Sequence, residues 1–202
     1  MHLRLTQPII LLACILISPG CENSVKYNWD DEPLETIIIN NDEKIILVDF
    51  ETESCVWCDR LDADTFTDQK VIDFAKQNLI SKKIDAEKGD GPKQKKKYRV
   101  RAYPTILFLD NQGAEIDRVV GYRPPEEFLS ELNRIKNGEN TISEIISRYK
   151  QNKHHYPTQI ALAEKYVTLN LPDSARNLLD AIYYKQKKKS QLDFSVAFRV
   201  SK

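Results

Sequence analysis

Short apolar runs alternate with amphipathic stretches through the middle of the chain. Three runs have the length and content of buried strands, at residues 44–50 (KIILVDF), 79–85 and 105–109 (TILFL). A turn at 110–113 and a returning run at 115–120 predict a β-hairpin. Between and after these runs the pattern predicts helices at about 55–63, 67–78, 92–97 and 124–136. This order predicts an α/β fold, a central mixed sheet flanked by helices.

Two local features of this region have more than one interpretation. Residues 33–41 read as a short helix with Pro33 in its first turn, but the β-branched run 37–39 favours a strand. The helix that ends near residue 78 has two possible caps, Thr67 and Asp68, since either side chain can accept a hydrogen bond from the first turn.

The pattern changes after residue 137, and no strand is predicted from there to the end. Thr141 and Glu144 form a capping box for a helix to about residue 151. Two further helices, at 157–170 and 174–187, are joined by a short turn and predict an αα-hairpin. This pair weakly resembles one tetratricopeptide-like unit, although stacked repeats usually need three or more. A helical extension packed on the first domain is an equally good interpretation.

The N-terminus has the pattern of an export signal. Residues 8–17 (PIILLACILI) are continuously apolar but too short to span a bilayer, which fits the apolar part of a signal peptide. A small residue directly before Cys21 resembles the bacterial lipoprotein signal, in which the cysteine is lipidated. Cys14, simple cleavage and retention as a weak anchor are the alternatives. The predicted organisation is therefore a signal peptide (1–20), a tether (21–34), an α/β domain (35–137) and a helical extension (138–202).

The composition of the chain limits the classes of function that it can have. Hydrophobic residues make up 41% and charged residues 30% of the chain, and 30 basic residues balance 30 acidic ones. Nothing in this balance indicates nucleic acid as a partner. Two lysine-rich stretches, at 93–97 and 185–189, fit solvated helix faces. Of four cysteines, two lie in the predicted signal region, so a scaffold held together by several disulfides is not expected.

Cys55 and Cys58 form a C-x-x-C motif directly after a predicted strand. This spacing lets two sulfurs meet when the first lies at a helix N-terminus, where backbone N–H groups and the helix dipole stabilise a thiolate. A zinc site would need two more ligands, but the histidines are His2, His154 and His155, and the adjacent pair lies about a hundred residues away. A purely structural disulfide is the other alternative, but so short a loop adds little stability.

The residues around the motif resemble the thioredoxin superfamily over about residues 35–136. Asp49 precedes Cys55 by six residues, Tyr103-Pro104-Thr105 leads into a strand, and residues 55–71 (CVWCDRLDADTFTDQKV) are similar to the C-terminal domain of DsbD-type thiol:disulfide interchange proteins. The resemblance implies a thioredoxin fold. It also implies that Cys55 is the exposed nucleophile, Cys58 the buried resolving cysteine and Asp49 a buried acid that relays a proton.

The resemblance further implies that Pro104 is a cis-proline beside the disulfide, with the backbone of Tyr103 free to pair with an extended substrate. The chain departs from thioredoxins proper at Val56 and Trp57, where those proteins carry Gly-Pro. Trp57 then either contacts substrate or covers the start of the helix. Glu51 and Glu53 near Cys55 would raise the pKa of its thiol and favour a reductase, an effect that Arg60 opposes.

The leading prediction is an exported, membrane-tethered periplasmic lipoprotein that reduces disulfides in other proteins. It requires no cofactor and no metal, because the dithiol itself carries two electrons. Its partners would be disulfide-containing proteins and a membrane or periplasmic thiol protein that donates electrons, and it would bind the membrane through a lipid on Cys21. An oxidase or isomerase with the same site, and a partner-binding module without catalysis, are the alternatives.

Overall fold

The computed structural model describes residues 26–41 and 43–187. The predicted signal peptide, with Cys14 and the predicted lipidation site Cys21, lies outside the described residues. The side chains of the lysine run 185–189 also lie outside them. Among the described helices, none combines the length and apolar content needed to cross a membrane.

Four strands form one mixed sheet, in the order β2-β1-β3-β4. The strands are β1 (Ile45–Glu51), β2 (Leu79–Asp85), β3 (Thr105–Leu109) and β4 (Glu115–Val120). β1 and β2 are parallel, whereas β3 is antiparallel to both of its neighbours, β1 and β4. The central strands β1 and β3 are buried on both faces, which explains why they read as continuous apolar runs. The predicted strands, hairpin and mixed sheet are confirmed.

Five α-helices accompany the sheet in the described part of this domain: α1 (Leu34–Asn40), α2 (Val56–Arg60), α3 (Gln69–Asn78), α4 (Gly91–Lys97) and α5 (Pro125–Lys136). Residues 34–40 are therefore helical despite their β-branched run. The Asp68 carboxylate caps α3 by accepting hydrogen bonds from the backbone N–H groups of Lys70 (2.9 Å) and Val71 (3.2 Å). Of the two predicted caps, Asp68 is the one used.

The helix after Cys55 is less regular than the predicted single helix at 55–63. α2 passes directly into a π-helical turn, Leu61–Thr65, in which the backbone N–H of Phe66 donates to the carbonyl of Leu61. Such turns are uncommon and often lie at functional sites. This one directs Asp62 toward the sheet, where it contacts a lysine of β2.

Two apolar clusters lie against the sheet. One packs Leu47 and Phe108 against α3, the π-helical turn and Phe128 of α5, and the other packs Val48, Phe50 and Leu107 against α1 and the end of α4. Because both faces of β1 are buried in this way, the loop that follows β1 begins from a rigid strand.

The C-terminal segment is helical throughout its described part: α6 (Ile142–Gln151), α7 (Tyr156–Thr168) and α8 (Pro172–Lys187). Thr141 caps α6 by accepting a hydrogen bond from the N–H of Glu144 (3.2 Å). These helices share a third apolar cluster. They also contact the sheet, because Lys165 of α7 and Arg134 of α5 both pair with the buried carboxylate of Asp117 in β4, at 2.9 and 2.7 Å.

Candidate active site

The two cysteines of the motif are joined in a disulfide at the start of α2. Their sulfurs are 2.08 Å apart, and the backbone N–H of Cys58 donates a hydrogen bond to Sγ of Cys55 at 3.1 Å. Cys55 is the N-cap of the helix and is partly exposed, whereas Cys58 is 2% exposed. An incoming sulfur can therefore reach Cys55 but not Cys58. The backbone N–H at Cys55 Sγ is the kind of group that stabilises a thiolate there when the bond is reduced.

Asp49 is a fully buried carboxyl on β1, two residues before the end of the strand that leads to Cys55. Its Oδ2 pairs with the ammonium of Lys83 at 3.0 Å. The pairing follows from the parallel register, in which Asp49 lies opposite Lys83 of β2. Oδ1 of Asp49 is buried and has no hydrogen-bond partner among the described residues.

Lys83 is the hub of a cluster of carboxylates. Besides Asp49, its ammonium contacts Glu51 at 2.7 Å and both oxygens of Asp62 at 2.7 and 2.9 Å. Asp49 and Glu51 are two residues apart on one strand, so both side chains project from the same face of the sheet. Asp62 joins them from the π-helical turn. The cluster thus links β1 and β2 to the segment that immediately follows the dithiol helix.

The environment of Asp49 sets its acid–base behaviour. Burial disfavours the charged form and is the largest effect. The ammonium of Lys83 opposes burial, and the charges of Glu51 and Asp62 reinforce it. The result raises the pKa of Asp49 from 3.8 to about 6. Burial acts to lower the pKa of Lys83, but the surrounding carboxylates outweigh it, so the pKa of Lys83 is raised. Asp49 can therefore gain or lose a proton near neutral pH while Lys83 stays charged.

The carboxylates of Asp49, Glu51 and Asp62 lie close enough together to suggest a metal site, with oxygens within 4.8 Å of one another. The ammonium of Lys83 already bonds to all three and occupies the point between them. A cation at that point would have to displace Lys83, so the residues present do not fit a metal.

An exposed apolar surface lies directly beside Cys55. Val56 is 73% exposed and Trp57 is 54% exposed. The guanidinium of Arg60 lies over the rings of both Trp57 and Tyr122, at 5.9 and 4.9 Å from their centroids. The carboxylate of Asp64 accepts hydrogen bonds from the guanidinium of Arg60 (3.1 Å) and from the hydroxyl of Tyr122 (3.0 Å). These contacts leave Trp57 accessible to a partner rather than buried over the helix start.

The Tyr103–Pro104 peptide bond is cis, and Pro104 directly precedes β3. Its carbonyl accepts a hydrogen bond from the N–H of Gly121 at 2.8 Å. Because β3 is antiparallel to β1, with Thr105 opposite Phe50, the start of β3 lies at the edge where β1 ends. Pro104 and the loop that carries Cys55 therefore lie at the same end of the sheet.

The structure changes one electrostatic expectation. Glu51 and Glu53 are not free negative charges near Cys55, because Glu51 pairs with Lys83 and Glu53 pairs with Lys88, both at 2.7 Å. These lysines offset part of the negative charge that was expected to act on the Cys55 thiol. The two glutamates alone therefore do not indicate a reductase.

Sequence reasoning did not identify Lys83 or Asp62 as members of the site. Lys83 follows another lysine in an alternating strand, and only its register with β1 shows which of the two faces Asp49. Asp62 lies four residues after Cys58, a spacing that could have drawn attention to it, but its direction depends on the π-helical turn.

A mixed sheet with a C-x-x-C disulfide at the end of its first strand defines the thioredoxin-fold class of disulfide oxidoreductases. Residues 33–136 match the family model of the thioredoxin-like domain, and the chain belongs to that family.

The chain is similar to several known proteins. The chain is 33% identical over 114 residues to the thiol:disulfide interchange protein DsbD of Photorhabdus laumondii, which covers 54% of this chain and 19% of that protein. It is 32% identical over 102 residues to DsbD of Yersinia pestis, covering 49% and 17%. The chain thus spans about a fifth or less of these relatives. A thioredoxin from Thermus thermophilus is 23% identical, with a TM-score of 0.49, and the match covers 66% of this chain and 99% of that one.

Proposed function

We propose that this protein is an exported thiol–disulfide oxidoreductase that reduces disulfide bonds in other proteins through Cys55 and Cys58. The observation that carries the proposal is the disulfide between an accessible Cys55 and a buried Cys58, at the start of the helix that follows the strand holding the buried acid Asp49. This arrangement separates the sulfur that meets substrate from the sulfur that closes the cycle.

The first step would form a mixed disulfide. In the reduced protein, the thiolate of Cys55 attacks one sulfur of a substrate disulfide. A new bond forms between that sulfur and Sγ of Cys55, and the substrate bond breaks. The second substrate sulfur leaves as a thiolate and takes up a proton.

The second step would release the substrate. Cys58 loses its proton to the carboxylate of Asp49, and its thiolate attacks Sγ of Cys55. The Cys55–Cys58 bond forms, the mixed disulfide breaks, and the other substrate sulfur leaves as a thiolate and takes up a proton. Two electrons thereby pass from the Cys55–Cys58 dithiol to the substrate disulfide. With a pKa of about 6, Asp49 is mostly ionised at neutral pH and can accept the proton.

Substrate would bind at the end of the sheet that carries both Cys55 and Pro104. Val56 and Trp57 offer apolar surface, and the backbone of Tyr103 offers hydrogen bonds to an extended segment. Such backbone pairing recognises the shape of a chain more than its sequence, which suits an enzyme that acts on proteins.

The partners are inferred from the relatives. DsbD proteins are thiol:disulfide interchange proteins by name, which favours electron exchange with another thiol protein and with disulfide-containing substrates. The reductive direction is part of the proposal, and the reduction potential of the Cys55–Cys58 couple tests it. The proposals of export and of a lipid on Cys21 rest on the apolar run 8–17 and on the residue before that cysteine.

The helical extension (138–202) would remain attached to the catalytic domain through the ion pair between Lys165 and Asp117.

A disulfide-linked model peptide with a fluorescent pair tests the catalytic claim. With dithiothreitol as the electron source, the wild-type protein is expected to cleave the peptide repeatedly. The rate of cleavage by Cys55→Ser should fall to the rate of dithiothreitol alone, because this variant cannot form the Cys55–Cys58 disulfide. Activity of Cys55→Ser equal to that of the wild type would overturn the proposal and favour a partner-binding module.

A further inference from the structure

The segment before α1 packs along the cluster around Lys83. The backbone N–H of Asp30 donates to the carbonyl of Ser81 at 2.7 Å, the ammonium of Lys82 donates to the carbonyl of Asp30 at 3.0 Å, and the hydroxyl of Tyr27 bonds to that of Ser81 at 2.9 Å. β2 is an edge strand of the sheet. Residues 27–30 therefore cover the open side of β2, although their sequence suggests only a tether.

Trp29 is the member of this segment that faces the charged cluster. The ammonium of Lys83 lies 4.9 Å from the centroid of the Trp29 ring, a cation–π distance. The ring also packs edge-on against Phe66, with 4.9 Å between ring centroids, and lies tilted against Tyr27, with 4.5 Å between centroids. Phe66 belongs to the core, so Trp29 is held between the core and the lysine that pairs with Asp49.

We propose that Trp29 is a positioning residue for the acid–base group of the dithiol site: with Tyr27 and Phe66 it covers Lys83 and keeps water from the Lys83–Asp49 pair. The inference rests on the proposed function only in giving Asp49 its role as proton relay. It assigns the tether a part in the chemistry, since the residues that follow the predicted lipidation site would set how readily the buried acid ionises.

Charged or titratable groups face the Lys83–Asp49 pair from three elements. Asp49 and Glu51 face Lys83 from β1, Asp62 from the π-helical turn, and Tyr27 from the covering segment. Removal of the Trp29 ring leaves Lys83 bonded to all three carboxylates. The expected effect is therefore entry of water rather than loss of the ion pairs. Since burial is the largest influence that raises the pKa of Asp49, hydration should lower it.

Carbon-13 NMR of the aspartate carboxyls tests the inference on the oxidised full-length protein. The wild-type midpoint for Asp49 is expected at about 6. Trp29→Ala should lower it by at least half a unit, about a threefold loss of proton affinity. Trp29→Phe, which keeps a ring over Lys83, should restore a midpoint close to that of the wild type. Tyr184→Ala removes an exposed ring from α8 and is the matched control, with no shift expected.

A midpoint for Trp29→Ala equal to or above that of the wild type would overturn the inference. If that variant does not fold, Trp29→Leu keeps an apolar side chain against Phe66 but is too small to cover Lys83, and it should also lower the midpoint; an unshifted midpoint in this variant overturns the inference too. The peptide assay on the same preparations separates the two claims. An inactive wild type contradicts the proposed function, whereas an active wild type with an unshifted Trp29→Ala contradicts only the role of Trp29.

Discussion

Replacement of Asp49 by asparagine should make the oxidised protein more stable at neutral pH. The folded state raises the pKa of this carboxyl from 3.8 to about 6, so folding favours its protonated form. The stability that this preference adds is fully present below pH 3.8 and is lost as the pH rises through about 6. At about 1.36 kcal/mol per pKa unit, the loss between acid and neutral pH is about 3 kcal/mol.

Asparagine has nearly the same shape as the protonated acid and does not ionise. Lys83 keeps Glu51 and Asp62 as partners in the variant, so its ammonium does not become an unpaired buried charge. The free energy of unfolding of Asp49→Asn should match that of the wild type near pH 4. It should exceed the wild-type value by up to about 3 kcal/mol near pH 7.

Urea unfolding of both oxidised proteins at several values from pH 4 to 8 measures this difference directly. Asp62→Asn is the matched control, because Asp62 contacts the same lysine but its side chain is 43% exposed. Its difference from the wild type should stay within about 1 kcal/mol over the same range. A constant difference between Asp49→Asn and the wild type from pH 4 to 8 would refute the reasoning about burial, as would a variant that becomes less stable than the wild type as the pH rises.

Three further changes probe other parts of the account. Cys58→Ser should accumulate a mixed disulfide between Cys55 and a substrate peptide, visible by mass spectrometry, because the resolving thiol is gone; release of both peptide halves at the wild-type rate would contradict that role. Lys165→Met leaves the buried Asp117 with Arg134 alone and should lower the free energy of unfolding by about 1–3 kcal/mol; a loss below about 0.5 kcal/mol would mean that this contact does not stabilise the packing of the extension. Asp68→Ala removes the cap of α3 and should cost about 1 kcal/mol in urea unfolding, with no cost expected if the cap is replaced by water.

The strands and most helices could be predicted because their signals are local. β1 and β3 are buried on both faces, so their apolar runs are easy to recognise. The turn at 110–113 then identifies β4 as the hairpin partner of β3. The two cysteines could also be singled out from the sequence, because their spacing and the thioredoxin-like residues around them together indicate the chemistry.

The charged cluster could not be predicted because it depends on non-local geometry. Lys83 meets Asp49 only through the register of two strands that lie more than thirty residues apart in the sequence. Asp62 reaches Lys83 only because the helix widens into a π-helical turn, and Trp29 reaches it because residues 27–30 return along the edge of β2. None of these three contacts leaves a periodic pattern in the sequence.

The reduction potential of the Cys55–Cys58 couple tests the central claim most directly. Full-length protein is equilibrated against glutathione buffers and then dithiothreitol buffers, and the fraction of free thiol is measured at each ratio. We expect a reversible two-electron couple below about −200 mV, in the range of reducing thioredoxin-like proteins. A reversible couple near −120 mV would contradict the reductase direction and indicate an oxidase. No reversible couple at all would contradict dithiol chemistry at this site.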